Sequence, residues 1–225
     1  MKKITVLLVD DHTVVREGLR ALLAQEEDIE VVGEAADGRR AMALCKQLSP
    51  EVVVMDVAMP LLNGMDATRQ ILKNCQGTAV LVLSSYTDEE CVKHLLKAGA
   101  AGYLTKQTAA DYLPRAIRDV RRGHKFFSPE IAKQLQQRER PINDHYDGKP
   151  ELTSRELEVL QLIAEGFSNK QSATELGISI KTIEKHRQQV MNKLNIHETA
   201  GLTRYAISKG IVEAQMASAL LGNGA

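Results

Sequence analysis

From residue 1 to about 122 the chain alternates short β-branched runs with longer stretches of helical period, and this alternation restricts the fold more than any other feature. Runs at 4–9, 29–35, 51–55, 78–84 and 102–104 give five expected strands. Between them, stretches such as Val14-Val15-Arg16-Glu17-Gly18-Leu19-Arg20-Ala21-Leu22-Leu23 space apolar residues three and four apart, as an amphipathic helix does. Five strand–helix units joined by right-handed crossovers imply an α/β doubly wound parallel sheet. In the order 2-1-3-4-5, strands 1 and 3 lie side by side at the switch point.

The carboxyl ends of those strands carry the chemistry. Asp10 and Asp11 close the first run, Asp56 closes Val52-Val53-Val54-Met55, Ser84 closes the fourth, and Lys106 follows Gly102-Tyr103-Leu104-Thr105. Carboxylates brought to one crevice repel one another and call for a cation, and together the set reads as a magnesium-dependent phosphoryl-acceptor site. Asp56 is the candidate nucleophile, since a carboxylate can attack a phosphoryl donor to give an acyl phosphate. Asp10 and Asp11, with Asp56 and the backbone carbonyl of Ala58, are candidate Mg2+ ligands. Lys106 would offset the charge gained on phosphorylation, and Ser84 offers a hydroxyl to a phosphoryl oxygen. Taken singly, each has an ordinary reading: aspartates after strands cap helices, and lone lysines and serines sit on surfaces and in turns. The combination raises the functional reading.

A length of 225 residues suits two domains, each with its own core. Lys plus Arg and Asp plus Glu both total 29, so any polyanion-binding surface has to be a local patch. Cys45, Cys75 and Cys91 are widely spaced without a Cys-x-x-Cys pair, which suggests free thiols in a reducing compartment and argues against a structural zinc. The apolar start meets Asp10 and Asp11 too soon for a signal peptide or membrane span, so the expected location is cytoplasmic, with no membrane partner.

Residues 123–150 change character. Ser128-Pro129-Glu130 opens a short helix, and the stretch to Pro150 is polar and breaker-rich, with 139–150 as the flexible part of a linker. After it the strands stop. Thr153-Ser154-Arg155-Glu156 forms a capping box before Leu157–Glu165, Ser168 and Ser179 are candidate caps for helices over 169–176 and 180–194, and Glu198 begins a fourth. Gly177 suits the turn of a helix-turn-helix. In the third helix Ile180, Ile183, Val190, Met191 and Leu194 are expected to be buried, with Lys181, Glu184, Lys185, Arg187 and Gln188 outward. Residues 151–212 make a small all-α domain, and 213–225 a tail, with an amphipathic helix expected over 212–221.

The sets Val9-Asp10-Asp11-His12, Met55-Asp56-Val57-Ala58-Met59-Pro60, Asn63-Gly64, Leu83-Ser84 and Gly102-Tyr103-Leu104-Thr105-Lys106 resemble the flavodoxin-like receiver domain of two-component response regulators, over residues 4 to about 122. The resemblance implies that Asp56 accepts a phosphoryl group from a histidine kinase and that Ser84 and Tyr103 form a switch pair. Ala58 and Tyr86, two residues beyond Asp56 and Ser84, neither of which readily orients a hydrolytic water, predict slow self-dephosphorylation. A fast-decaying acyl phosphate, unchanged by Tyr86→Ala, would count against this.

Leu152-Thr153-Ser154-Arg155-Glu156, Gly166-Phe167-Ser168-Asn169-Lys170 and Ile178-Ser179-Ile180-Lys181-Thr182-Ile183-Glu184-Lys185-His186 resemble the LuxR-type helix-turn-helix, so the whole chain is similar to a NarL/FixJ-class regulator. From Ser168 to Lys193 five Lys or Arg face two Glu, a modest basic stripe suited to double-stranded DNA. The candidates for base or phosphate contact are Lys181, Lys185, Arg187 and Gln188, with Glu184 either accepting from cytosine or repelling phosphate. Lys170, Thr182 and Lys193 are candidate backbone anchors, and His186 is expected to pack at the helix interface. Gln171 and Ser172 depart from the family's usual acid and isoleucine. One helix-turn-helix reads few base pairs, so a homodimer is expected, paired through the helix from Glu198 to Ser208. The chain is expected to be a regulator and not an enzyme, beyond assisting its own phosphorylation and dephosphorylation. A phosphohydrolase on a similar sheet needs an acid where Ala58 stands, and a vestigial receiver would not retain the whole acidic set.

Overall fold

The computed structural model describes residues 2–85, 89–136 and 152–212. Tyr86, the flexible stretch expected over 139–150 and nearly all of the expected helix over 212–221 lie outside these. The chain divides into two compact units, residues 1–141 and 142–225.

In the first unit the five apolar runs form parallel strands β1 (Ile4–Val9), β2 (Ile29–Ala35), β3 (Val52–Met55), β4 (Ala79–Ser84) and β5 (Gly102–Thr105). Val6, Leu7, Leu8, Val52, Val53, Val80, Leu81 and Val82 are fully buried, as expected of strands covered on both faces. One face is covered by α1 (Thr13–Leu23) and α5 (Ala109–Arg121), through Leu19, Leu23, Leu113, Ala116 and Ile117. The other is covered by α2 (Gly38–Leu48) and α3 (Gly64–Asn74), through Ala41, Leu44, Ala67 and Ile71. Asp37 and Asn63 cap α2 and α3 by accepting from the N–H groups of Arg40 and Asp66. Helix α4 (Glu89–Lys97) follows β4.

The sheet order is β2-β1-β3-β4-β5-β6, the expected order with one strand added. The sixth strand, β6 (Phe126–Phe127), pairs in parallel with β5, placing Phe126 opposite Gly102 and Phe127 opposite Tyr103. Gly102 makes the pairing possible, since a Cβ there would lie 2.5 Å from the Phe126 carbonyl oxygen. Helix α6 (Pro129–Gln136), the short helix expected in the linker, returns Ile131 to a cluster with Val57, Val82, Val92, Leu95 and Tyr103. Residues 126–136 therefore pack onto the sheet instead of serving as a free tether.

The second unit contains α7 (Ser154–Ala164), α8 (Asn169–Leu176), α9 (Ile180–Leu194) and α10 (Thr199–Ser208). Helix α7 packs on α9 and α10, and α8 on α9. Thr153 with Glu156, and Ser168 with Gln171, form reciprocal capping boxes, so Gln171 does the work an acid would do there. Gly177, at φ +62°, ends α8 in the left-handed conformation that turns the chain into α9. Ser172 is buried. Among the described residues no helix is long and apolar enough to cross a membrane.

Candidate functional sites

Strand register builds the first site. Val9 pairs with Met55, and the Asp56 N–H donates to the Val9 carbonyl at 2.8 Å, so Asp10 and Asp56 leave the sheet side by side. Ser84 of β4 pairs with Thr105 of the adjacent β5, which brings Lys106 to the same edge. The Lys106 Nζ lies 2.8 Å from Asp56 Oδ2 and 2.7 Å from Asp10 Oδ2, bridging the two carboxylates. The other oxygen of Asp56 accepts from the Val57 N–H at 2.8 Å.

Burial governs the charge at this edge. Asp56 is 3 % exposed, and its carboxyl is pushed up to about 7 by burial, held back by the Lys106 charge and raised further by Asp10. Burial pulls the Lys106 ammonium down, but Asp56 and Asp10 outweigh it and leave it above its usual value.

Asp11 joins Asp10 and Asp56 at the edge, and one residue was not singled out from the sequence. His12 is the N-cap of α1, yet its side chain makes no capping bond. Its Nδ1 lies instead 2.9 Å from Asp11 Oδ1 and 3.2 Å from Asp10 Oδ1. One ligand atom from each of Asp10, Asp11, His12 and Asp56 falls within 4.8 Å of the others. Three carboxylates gathered at one edge suit a hard cation that prefers carboxylate oxygen, with Lys106 and His12 here engaging Asp10 Oδ2 and Asp11 Oδ1. The signal was legible: an imidazole directly after two acids is a ligand type at ligand spacing.

Ala58 is buried in the loop after β3, which the Gly64 N–H closes by donating to the Val57 carbonyl at 2.8 Å. Ser84 and Tyr103 are both fully buried, Ser84 at the end of β4 and Tyr103 in the cluster that contains Val57 and Ile131.

The second site is the exposed side of α9. Lys181, Glu184, Lys185 and Gln188 are exposed there, as is Lys170 on α8. Gln188 donates to Asn192 Oδ1 at 2.9 Å, and the other three candidates are less exposed and engaged as well. Arg187 donates to Thr199 Oγ1 at 2.7 Å, and the Thr182 hydroxyl lies 2.8 Å from Ser179 Oγ. The Lys193 Nζ lies 2.7 Å from Glu156 Oε2, whose side chain is only 4 % exposed. Burial raises the Glu156 carboxyl, but hydrogen bonds from Lys193 and the Thr153 backbone bring it below its usual value. Lys193→Ala leaves that carboxylate with one donor fewer, and is expected to destabilise the helical unit by about 2 kcal/mol in a urea titration. His186 is half-buried, with Nδ1 making no hydrogen bond.

Ile180 corrects the expected burial pattern. It is 44 % exposed, whereas Ile183, Val190 and Leu194 are buried. At 3.6 residues per turn it stands about 60° off the line of those three, and as the first residue of α9 it has no preceding turn to cover it.

Comparison with known proteins agrees with this division. Residues 6–118 match the response regulator receiver domain, and residues 150–206 match the luxR family of bacterial regulatory proteins. The chain is 35 % identical to the transcriptional regulatory protein DegU of Brevibacillus brevis, over 94 % of this chain and 96 % of that protein. It is 39 % identical to the transcriptional regulatory protein LiaR of Bacillus subtilis, over 90 % and 96 %. The structure of the response regulator RcsB in complex with DNA matches with a TM-score of 0.58 and 28 % identity, over 92 % of this chain and 99 % of that one. The parallel sheet with its acidic edge and the helical unit behind it are thus two halves of one known architecture, and the chain belongs to the two-component response regulators that join a receiver domain to a LuxR-type DNA-binding domain and regulate transcription.

Proposed function

We propose that Asp56 is the phosphoacceptor, that a histidine kinase supplies the phosphoryl group, and that phosphorylation strengthens dimer formation and sequence-specific binding of double-stranded DNA by the helical unit in the cytoplasm. The observation that carries the proposal is the Lys106 ammonium held between Asp56 and Asp10, with a buried Asp56 at the strand edge.

A carboxylate oxygen of Asp56 attacks phosphorus, the P–N bond to the donor histidine breaks, and its electron pair returns to the imidazole. Lys106 follows the charge, leaving the free carboxylate for the new phosphoryl oxygens. Asp10, Asp11, Asp56 and the Ala58 carbonyl would hold Mg2+, with His12 at the rim of the set. A bound Mg2+ supplies positive charge against the phosphoryl oxygens. Ser84 donates its hydroxyl to one of them, which draws the end of β4 inward and frees space for Tyr103 to shift. Tyr103 shares its cluster with Ile131 of α6, so its shift is felt where the chain leaves the sheet. Any catalysis is confined to the protein's own acyl phosphate. On the helical unit, exposed Lys170, Lys181, Glu184, Lys185 and Gln188 contact DNA, with Thr182, Arg187 and Lys193 contributing once released from their present partners. Pairing through α10 would set two half-sites about one helical turn apart.

Incubation with acetyl phosphate and Mg2+ tests the acceptor. Wild type should gain the mass of one phosphoryl group and Asp56→Asn none. An unchanged gain on Asp56→Asn removes Asp56 as the acceptor. Fragments of genomic DNA selected by the protein should be bound more tightly after phosphorylation, and equal binding breaks the proposed link between the two units.

A further inference from the structure

We infer that Ile180 is a base-reading residue of α9 which packs against a thymine methyl group in the major groove and so selects a T·A pair in each half-site. The inference rests on the DNA-binding reading of α9 and adds an apolar contact to its polar candidates. Among the described residues only Val14 and Ile180 are large hydrophobics that stand exposed, and Ile180 is the one on the second unit. It opens the helix directly after its cap, Ser179, whose side chain accepts from the Thr182 N–H and fixes the first turn. The N-terminal residues of a recognition helix are those that reach base edges.

Helical spacing gives the second argument. Ile180, Glu184 and Gln188 are each four residues apart and form one row, flanked by Lys181 and Lys185, and every member of both rows is exposed. The apolar side chain thus continues the surface already read as facing DNA. Among the groups in the major groove, the thymine C5-methyl is the apolar one, and an aliphatic side chain is its natural contact. Lys181 beside it can hold phosphate and fix the approach of the helix. Ile180 stands outside the buried face of α9, which is formed by Ile183, Val190 and Leu194.

The test uses full-length protein, incubated with acetyl phosphate and Mg2+, and a pool of duplex DNA with a randomised centre. Wild type should enrich a site containing a T·A pair in each half-site that Ile180→Ala no longer selects. In the synthetic consensus, deoxyuridine at that thymine deletes the methyl alone. It should weaken wild type about four-fold per half-site, the effect of one buried methyl group. Ile180→Ala should bind the two duplexes equally, and Ile180→Val should keep most of the discrimination. Circular dichroism verifies that both variants are folded. If wild type is indifferent to deoxyuridine at every thymine of the consensus, or Ile180→Ala pays the same methyl penalty, the inference is overturned while DNA binding stands. A pool from which wild type enriches nothing overturns both.

Discussion

Gly64→Ala is expected to unfold the sheet unit under conditions in which the wild type is stable, with a loss of about 4 kcal/mol, a large fraction of the stability of an ordinary domain. A Cβ at residue 64 would lie 1.7 Å from the carbonyl oxygen of Asp56 and 2.8 Å from its carbonyl carbon. Both are backbone atoms of the strand end that carries the candidate nucleophile, so no side-chain rotation relieves the overlap. The φ of Gly64 is not positive, which makes the requirement one of space and not of backbone conformation. Relief requires moving either the start of α3 or the end of β3, and α3 is pinned there by Asn63, which accepts from the Asp66 N–H at 2.9 Å. Gly18→Ala is the control. Gly18 lies in α1 with nothing within 4 Å of its Cβ position, and the change should stabilise by about 0.5–1 kcal/mol. Denaturant titrations followed by circular dichroism measure both, and a Gly64→Ala protein as stable as wild type would show that the strand end yields more readily than its packing implies.

The second large effect is a dependence of stability on pH without divalent cations. The Asp56 carboxyl sits near 7 in the folded protein against an ordinary 3.8, so the folded state binds a proton more tightly than the unfolded state does. Its contribution is complete below pH 3.8 and is lost progressively as pH rises to about 7, after which it stays lost. At 1.36 kcal/mol per unit the loss is at most roughly 4 kcal/mol. Asp28 and Glu156, whose carboxyls sit below their usual values, slope the opposite way, so the difference between wild type and Asp56→Asn isolates the Asp56 contribution. The variant should gain on wild type across that window and hold a constant advantage above it. Added Mg2+ should restore wild type most at the alkaline end, where the carboxylate it would bind is charged. Parallel profiles for the two proteins would mean that Asp56 titrates alike in the folded and unfolded states.

The strands that carry the acidic edge were legible because strands buried on both faces are continuous apolar runs, and Val6 through Val9 or Val52 through Met55 have no other economical reading. Their order followed from the handedness of the connections. The register that puts Val9 opposite Met55 was not legible, since it depends on how two strands slide against each other, yet it decides that Asp10 and Asp56 share one lysine. Strand β6 escaped notice because Phe126-Phe127 is too short to show a period, and its evidence is the Gly102 surface it covers. In the helical unit the caps were written plainly in Thr153, Ser168, Ser179 and Gly177. The engagement of Lys193 by Glu156 was not, because it joins residues 37 apart in sequence through tertiary packing. Ile180 misled because period alone assigns a direction without saying where a helix begins to be covered.

Strand β6 also changes how force would pass along the chain. The Ser128 N–H donates to the Tyr103 carbonyl and the Phe126 N–H to the Ala101 carbonyl, at 3.0 and 3.2 Å. A pull on β6 therefore acts directly on the backbone of β5 through these bonds. β6 is thus tied to the strand that carries Tyr103 and leads directly to Lys106.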